Sequence, residues 1–124
     1  MKVTKSPVAD LALFDEDGRL KNPLEGFKTV RQYAIKGDSY SQGFIGYCYV
    51  QGIGVRRDRR QAFKWLSSAA DQGDSEAMVN LAMMLERGDG VRADSSRALS
   101  LYRQSAAQGN AVAQTNLGLV SCLR

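Results

Sequence analysis

At 124 residues the chain has room for one domain with a modest core and not for two. It contains no histidine, which removes Ser-His-Asp and Cys-His catalysis, histidine metal sites and histidine-based pH switching together. A 44% hydrophobic share, 24% charged residues and a formal charge of +4 describe an ordinary solvated surface rather than one built for nucleic acid or a membrane.

Two cysteines, Cys48 and Cys122, do not make a disulfide framework. They lie two repeat units apart, and at about 10 Å per helix layer that is too distant to bond. There is no apolar run long enough for a membrane span. The opening "MKVTKSPVADLALFDEDG" has only "LALF" as an apolar centre, so it does not read as a secretory signal. The chain is therefore expected to be cytoplasmic, or periplasmic if a signal peptide once preceded it.

Residues 1–22 fit no repeat and are expected to be an N-terminal cap or extension. "PVADLALF" suits a short helix over the first exposed face, and "DEDGRLKNP" a turn. From residue 23 to 124 one interval governs. Gly52, Val55, Asp58 and Ala62 recur 36 residues later as Gly88, Val91, Asp94 and Ala98. The same step carries "KGD" at Lys36 to "QGD" at Gln72 and "QGN" at Gln108, and Gly46 to Ala82 and Gly118, each preceded by Ile45, Leu81 or Leu117. Such an interval is that of stacked two-helix units.

Within a unit the apolar spacing is helical. Helices are predicted over 24–36, 39–51, 58–72, 75–87, 94–108 and 111–123. In the fourth, Ala77, Met78, Leu81, Ala82 and Leu85 form one stripe, with Ser75 as the expected N-cap and Gly88 as the stop. In the fifth, Asp94 is the expected cap, Ala98, Leu101, Tyr102 and Ala106 point inward, and Gly109 ends the helix. The Gly-x-Gly-Val links then need no phosphate: one glycine ends a helix in the left-handed region and the second turns the chain back. Val55 and Val91 are expected to anchor these links to the core.

"SEAMVNLAMMLERGDGVRADSSRALSLYRQSAAQGN" resembles the Sel-one-like repeat (SLR), a relative of the tetratricopeptide repeat. The shared features are the Ala-x-x-x-Leu-Gly/Ala core, the Gly-x-Gly-Val-x-x-Asp link and a closing helix with an aromatic residue (Trp65, Tyr102) before "AAxxG". The likeness covers about residues 26–124 and is weakest in the first copy, where Gly26, Gly43, Phe44 and Ile45 depart from the pattern. It implies an all-α fold, a short right-handed α-solenoid of stacked antiparallel helix pairs, about three repeats with the last one truncated.

A solenoid offers a concave face rather than a deep catalytic pocket. The resemblance assigns that face to 39–51, 75–87 and 111–123. Two positions beyond Ile45, Leu81 and Leu117 stand Tyr47, Met83 and Leu119. Tyr40, Glu76 and Val112 form a parallel row, with Gly43, Val79 and Thr115 between. These residues are either further core or an apolar contact stripe for a partner's peptide or helix.

In "RRDRR", Arg56, Arg57, Arg59 and Arg60 crowd the first link. With Asp58 as cap, Arg59 and Arg60 occupy a first helical turn, where positive charge opposes the macrodipole at about 0.3–1 kcal/mol each. The second copy has Ser95 and Ser96 there. The cluster is either a solvated loop or a site for something acidic, and no aromatic residues interleave with it to stack nucleic-acid bases. At the other end Leu117, Leu119, Val120, Cys122 and Leu123 crowd a terminal helix. They call for cover by another chain, by residues 1–22, or by chain beyond.

Asp38, Asp58, Asp74 and Asp94 sit at caps and links, so no carboxylate pair for acid–base chemistry is expected. No metal site or cofactor is expected, and the chain is not expected to be an enzyme. The resemblance points to a protein-interaction module, with the narrower reading of a bacterial immunity or adaptor protein that binds and neutralises a secreted effector or toxin. Its partner would be held by Tyr40, Tyr47, Glu76, Val79, Met83, Leu119 or the arginines. The alternative is a self-associating scaffold subunit, a homodimer through the C-terminal helix.

Overall fold

A computed structural model describes the chain from Pro7 to Cys122. Six α-helices follow one another: α1 (Pro23–Ile35), α2 (Ser39–Gln51), α3 (Arg59–Asp71), α4 (Ser75–Arg87), α5 (Ser95–Ala107) and α6 (Ala111–Cys122). Each packs mainly on its neighbours in sequence, and α2 also touches α4. No strand occurs among the described residues, where the only pairing is an isolated bridge between Phe14 and Leu20. The result is the expected stack of helix pairs with a step of about 36 residues.

The helix boundaries follow from cap chemistry. Asp38, Asp58, Asp74 and Asp94 each leave the helical region and accept hydrogen bonds from first-turn backbone N–H groups. The cap of α4 is therefore Asp74 and not Ser75, because a carboxylate one residue earlier reaches the N–H groups of both Glu76 and Ala77. The third and fifth helices start one residue later than predicted, since Asp58 and Asp94 are caps and not members. At the other end Gly52 (φ 74°) and Gly88 (φ 69°) close α2 and α4 in the left-handed region. α5 closes at Gln108, with Gly109 just beyond it.

The links repeat bond for bond. The Asp58 N–H donates to the Tyr49 carbonyl at 3.0 Å, and 36 residues on the Asp94 N–H donates to the Leu85 carbonyl at 2.8 Å. Val55 and Val91 pack against the core, as the sequence implies. The core runs in two clusters. One joins Val8, Phe27, Val30, Ala34, Ile45 and Cys48; the other is centred on Leu66, Leu81, Leu85 and Tyr102.

Among the described residues the segment before α1 lies on the first helix pair. Val8, in a short 3-10 turn (Pro7–Asp10), is fully buried against the first cluster, and Phe14 meets the Phe44 ring edge-on at 5.4 Å. Gly26 stands where the repeat favours alanine because Leu20 fills that space: a Cβ there would lie 2.6 Å from Leu20 Cδ2. In α6, Ala113 is buried while Val112 and Leu119 are exposed. The crowding expected at Val120, Cys122 and Leu123 lies outside the described side chains.

Candidate functional site

Three helices of alternate parity, α2, α4 and α6, start side by side along one face. Their caps, Asp38, Asp74 and Asn110, come from the same repeat position, and each backbone N–H returns to a carbonyl of the preceding helix: Tyr33, Ala69 and Ser105. Between these helices runs a groove of about 410 Å³ lined largely by α2 and α4, with Asn110 and Val112 at its α6 side.

Tyr40, Tyr47, Glu76, Val79 and Met83 all line this one groove, so five of the sequence-derived residues come together. Tyr40 (42% exposed), Tyr47 (39%) and Val112 (56%) present large apolar surface to solvent. Val79 is buried and serves as floor. Gly43 keeps the α2 wall low, since a Cβ there would lie 3.1 Å from Asp74 Oδ2 and 3.6 Å from Ala77 Cβ. Leu119, 60% exposed, is outside the lining.

Phe44, Asp74, Asn80, Asn110 and Val112 complete the lining beside residues the sequence had singled out. The sequence sets Val112 in a row with Tyr40 and Glu76 but does not mark it as a contact. Phe44 and Asn80 are 36 residues apart, as are Asp74 and Asn110, so the repeat interval carried the signal for both pairs.

One end of the groove is acidic. Burial raises the Tyr40 hydroxyl above its ordinary pKa, and the carboxylates of Glu76, Asp74 and Asp38 push it further in the same direction. Burial also raises the Asp74 carboxyl; the N–H groups of Ala77 and Glu76 oppose that and Asp38 adds to it. No lysine or arginine lines the groove.

The arginines lie elsewhere. Arg56, Arg57 and Arg60 are exposed, whereas Arg59 is half-buried and forms an ion pair with Asp89 of the second link. Its Cβ also fits against Gly90, where an added Cβ would come within 2.4 Å. A contact across 30 residues thus gives Arg59 a role inside the fold. Cys48 is a buried free thiol whose pKa burial pushes up to about 12, so it stays protonated and unreactive at neutral pH. Among the described residues no group of three His, Cys, Asp or Glu is placed to hold a metal ion, and no helix is long and apolar enough to cross a membrane.

Stacked helix pairs with a short glycine link and a lined concave face define a helical-repeat solenoid. The family model of the Sel1 repeat matches residues 39–74 and 75–110, more than half of the chain, and the protein belongs to that family. Among solved structures it is similar to a protective antigen present in uropathogenic Escherichia coli strains and displaying an SLR fold. That match has 35% identity and a TM-score of 0.76 over 81% of this chain and 21% of the antigen. A Sel1 repeat protein from Oxalobacter formigenes matches at 29% identity and TM-score 0.73, over 78% of this chain and 40% of the other. Cysteine rich protein B of Helicobacter pylori shares the fold at 22% identity and TM-score 0.69, over 75% of this chain and 70% of the other. The chain thus spans about a fifth and two fifths of the first two relatives. No curated protein sequence matches it. Sel1-repeat proteins generally act as protein-interaction modules, and the solenoid is typically a scaffold without catalysis of its own.

Proposed function

We propose that this protein holds a segment of a partner protein in the groove between α2, α4 and α6. The observation that carries this reading is the convergence of solvent-facing Tyr40 and Tyr47 with Met83 and Val112 around one depression of about 410 Å³. Aromatic side chains with a polar tip, partly exposed beside a flexible methionine, are the composition of a contact surface rather than of a sealed core. The narrower form, an immunity or adaptor protein occluding a secreted effector, rests on family analogy, and the exposed Arg56, Arg57 and Arg60 would supply a second contact for an acidic partner.

Affinity capture from the native host, run in parallel with wild type and Met83→Glu, tests the reading. One stoichiometric protein, retained by wild type and lost from a normally helical Met83→Glu, is the expected result. Identification of that protein as a toxin would carry the immunity reading. A partner that binds both forms equally would remove the groove from the account.

A second reading has its own observation. Leu119 and Val112 leave an apolar surface on α6, which fits a self-associating subunit. In that case Leu119→Glu abolishes an oligomer seen by light scattering, while Tyr47→Ala and Met83→Glu leave it unchanged.

A further inference from the structure

The charge around the groove narrows the chemistry of what enters it. The lining residues that carry charge are both acids, Asp74 and Glu76, and Asp38 acts on the same space through Tyr40 and Asp74. This stands out on a chain whose formal charge is +4.

The three carboxylates are not simply neutralised by the helices they begin. A helix N-terminus carries about half a positive charge, so the starts of α2 and α4 together offset about one of the three negative charges. Asp38 and Asp74 spend part of their oxygen valence on first-turn N–H groups. Glu76 has no such duty: it is exposed, two residues after Asp74 in the same first turn, and among the described residues no lysine or arginine forms an ion pair with it. The acidic end grades along the groove into the apolar surface of Tyr47 and Met83. Across the stack the charge declines, because the third cap is Asn110 and the third member of the Tyr40–Glu76 row is Val112.

Building on the groove reading above, we infer that the occupant is a cationic–apolar segment of a protein: a lysine or arginine seated against Glu76 and Asp74 beside Tyr40, followed by a large apolar side chain packed on Tyr47 and Met83. Tyr40 suits the aliphatic stem of such a residue, since its ring offers a face and its hydroxyl a hydrogen-bonding tip. An acidic segment would meet repulsion at the same end, which makes the charge a filter on partners as well as an attraction.

The probe is a random-peptide phage library selected on the immobilised full chain, followed by titration of the enriched synthetic peptides. Enriched peptides are expected to pair lysine or arginine with a nearby large apolar residue. Their affinity should fall about three- to tenfold on Glu76→Gln and further on Glu76→Lys. It should weaken with added sodium chloride, and be lost on Met83→Glu. Circular dichroism checks that each variant keeps its helices. Peptides lost on Met83→Glu but without a cationic preference, or indifferent to Glu76→Lys, overturn the inference and leave the groove reading standing. Peptides indifferent to Met83→Glu, or no enrichment at all, overturn both.

Discussion

The two complete repeats, residues 39–74 and 75–110, have the same backbone and close it with different chemistry. In both, an aspartate caps each helix and a glycine pair in the left-handed region turns the link. Yet Ile53 packs its link into the first core cluster, while its counterpart Asp89 is tied to Arg59 by an ion pair. Val50 and Leu66 are likewise answered by Glu86 and Tyr102, joined by a hydrogen bond of 3.3 Å. What the fold demands is the backbone device; the contact that closes it can be apolar or polar. This also places "RRDRR". Arg59 faces the link of the next repeat, whereas its counterpart Ser95 belongs to the last complete repeat and has no described link behind it.

The largest effects should come from the second glycine of each link. A Cβ on Gly54 would lie 2.1 Å from the Pro23 carbonyl oxygen, and one on Gly90 2.4 Å from Arg59 Cβ. Both residues also have φ near +70°. Left-handed strain and overpacking add, so each alanine should cost about 2–4 kcal/mol in urea unfolding. The obstacles differ in kind. Arg59→Gly removes the atom that Gly90→Ala strikes and should recover part of its loss. No side-chain change at Pro23 can rescue Gly54→Ala, because the obstacle is backbone. Equal rescue in both links, or in neither, would break the comparison.

These same joints mark how far the sequence could be read. Spacing located all six helices to within one residue at each end, because glycine, aspartate and alanine at fixed intervals act through the local backbone. Either residue of "DS" can cap a helix, so the sequence does not decide between Asp74 and Ser75, and only geometry does. Arg59–Asp89 leaves no local signal, because its partners are 30 residues apart and belong to different repeats. Periodicity set Tyr40, Tyr47 and Met83 in rows and the resemblance gave those rows to the concave face, while core and contact stripe stayed open for them until the groove showed them on its lining. Leu119, on the same period, was not separable from them, since a sequence row does not show which of its members share one groove. Gly26 made sense only once Leu20 was seen above it.

Of intermediate size are the closing contacts themselves. Ile53 is partly buried among apolar neighbours, so Ile53→Ala should cost about 1–2 kcal/mol and be indifferent to salt. The Arg59 and Asp89 side chains are each about one third exposed, at 34% and 33%. Asp89→Ala should accordingly cost less than about 1 kcal/mol, and the difference from wild type should shrink as sodium chloride is added. Denaturant midpoints of both variants, with and without salt, measure this directly. A salt-independent loss at Asp89 as large as that at Ile53 would mean that the ion pair is not what closes the second link.

The smallest effect at neutral pH, and the most specific, belongs to Tyr102. Burial first, then the charge of Glu86 and the hydrogen bond with it, raise the hydroxyl pKa from 10.0 to about 12, against smaller opposing contributions from Asn116 and Arg87. A raised acid is protonated more tightly in the folded chain than in the unfolded one. Below pH 10 both states keep the proton and the contribution is complete. Between about pH 10 and 12 the unfolded chain ionises first, so stability falls as pH rises and the contribution is lost through the folded value. Tyr102→Phe gives up a long hydrogen bond to an exposed carboxylate, about 0.5–1 kcal/mol at neutral pH, but it cannot ionise. Its unfolding midpoint should therefore decline less steeply than that of wild type across that alkaline window. Leu66, at the same place in the first copy, supplies the control: Leu66→Ala lowers stability by a constant amount at every pH. If Tyr102→Phe and wild type run parallel from pH 9 to 12, the hydroxyl is not held in the buried, Glu86-facing position that distinguishes the second repeat from the first.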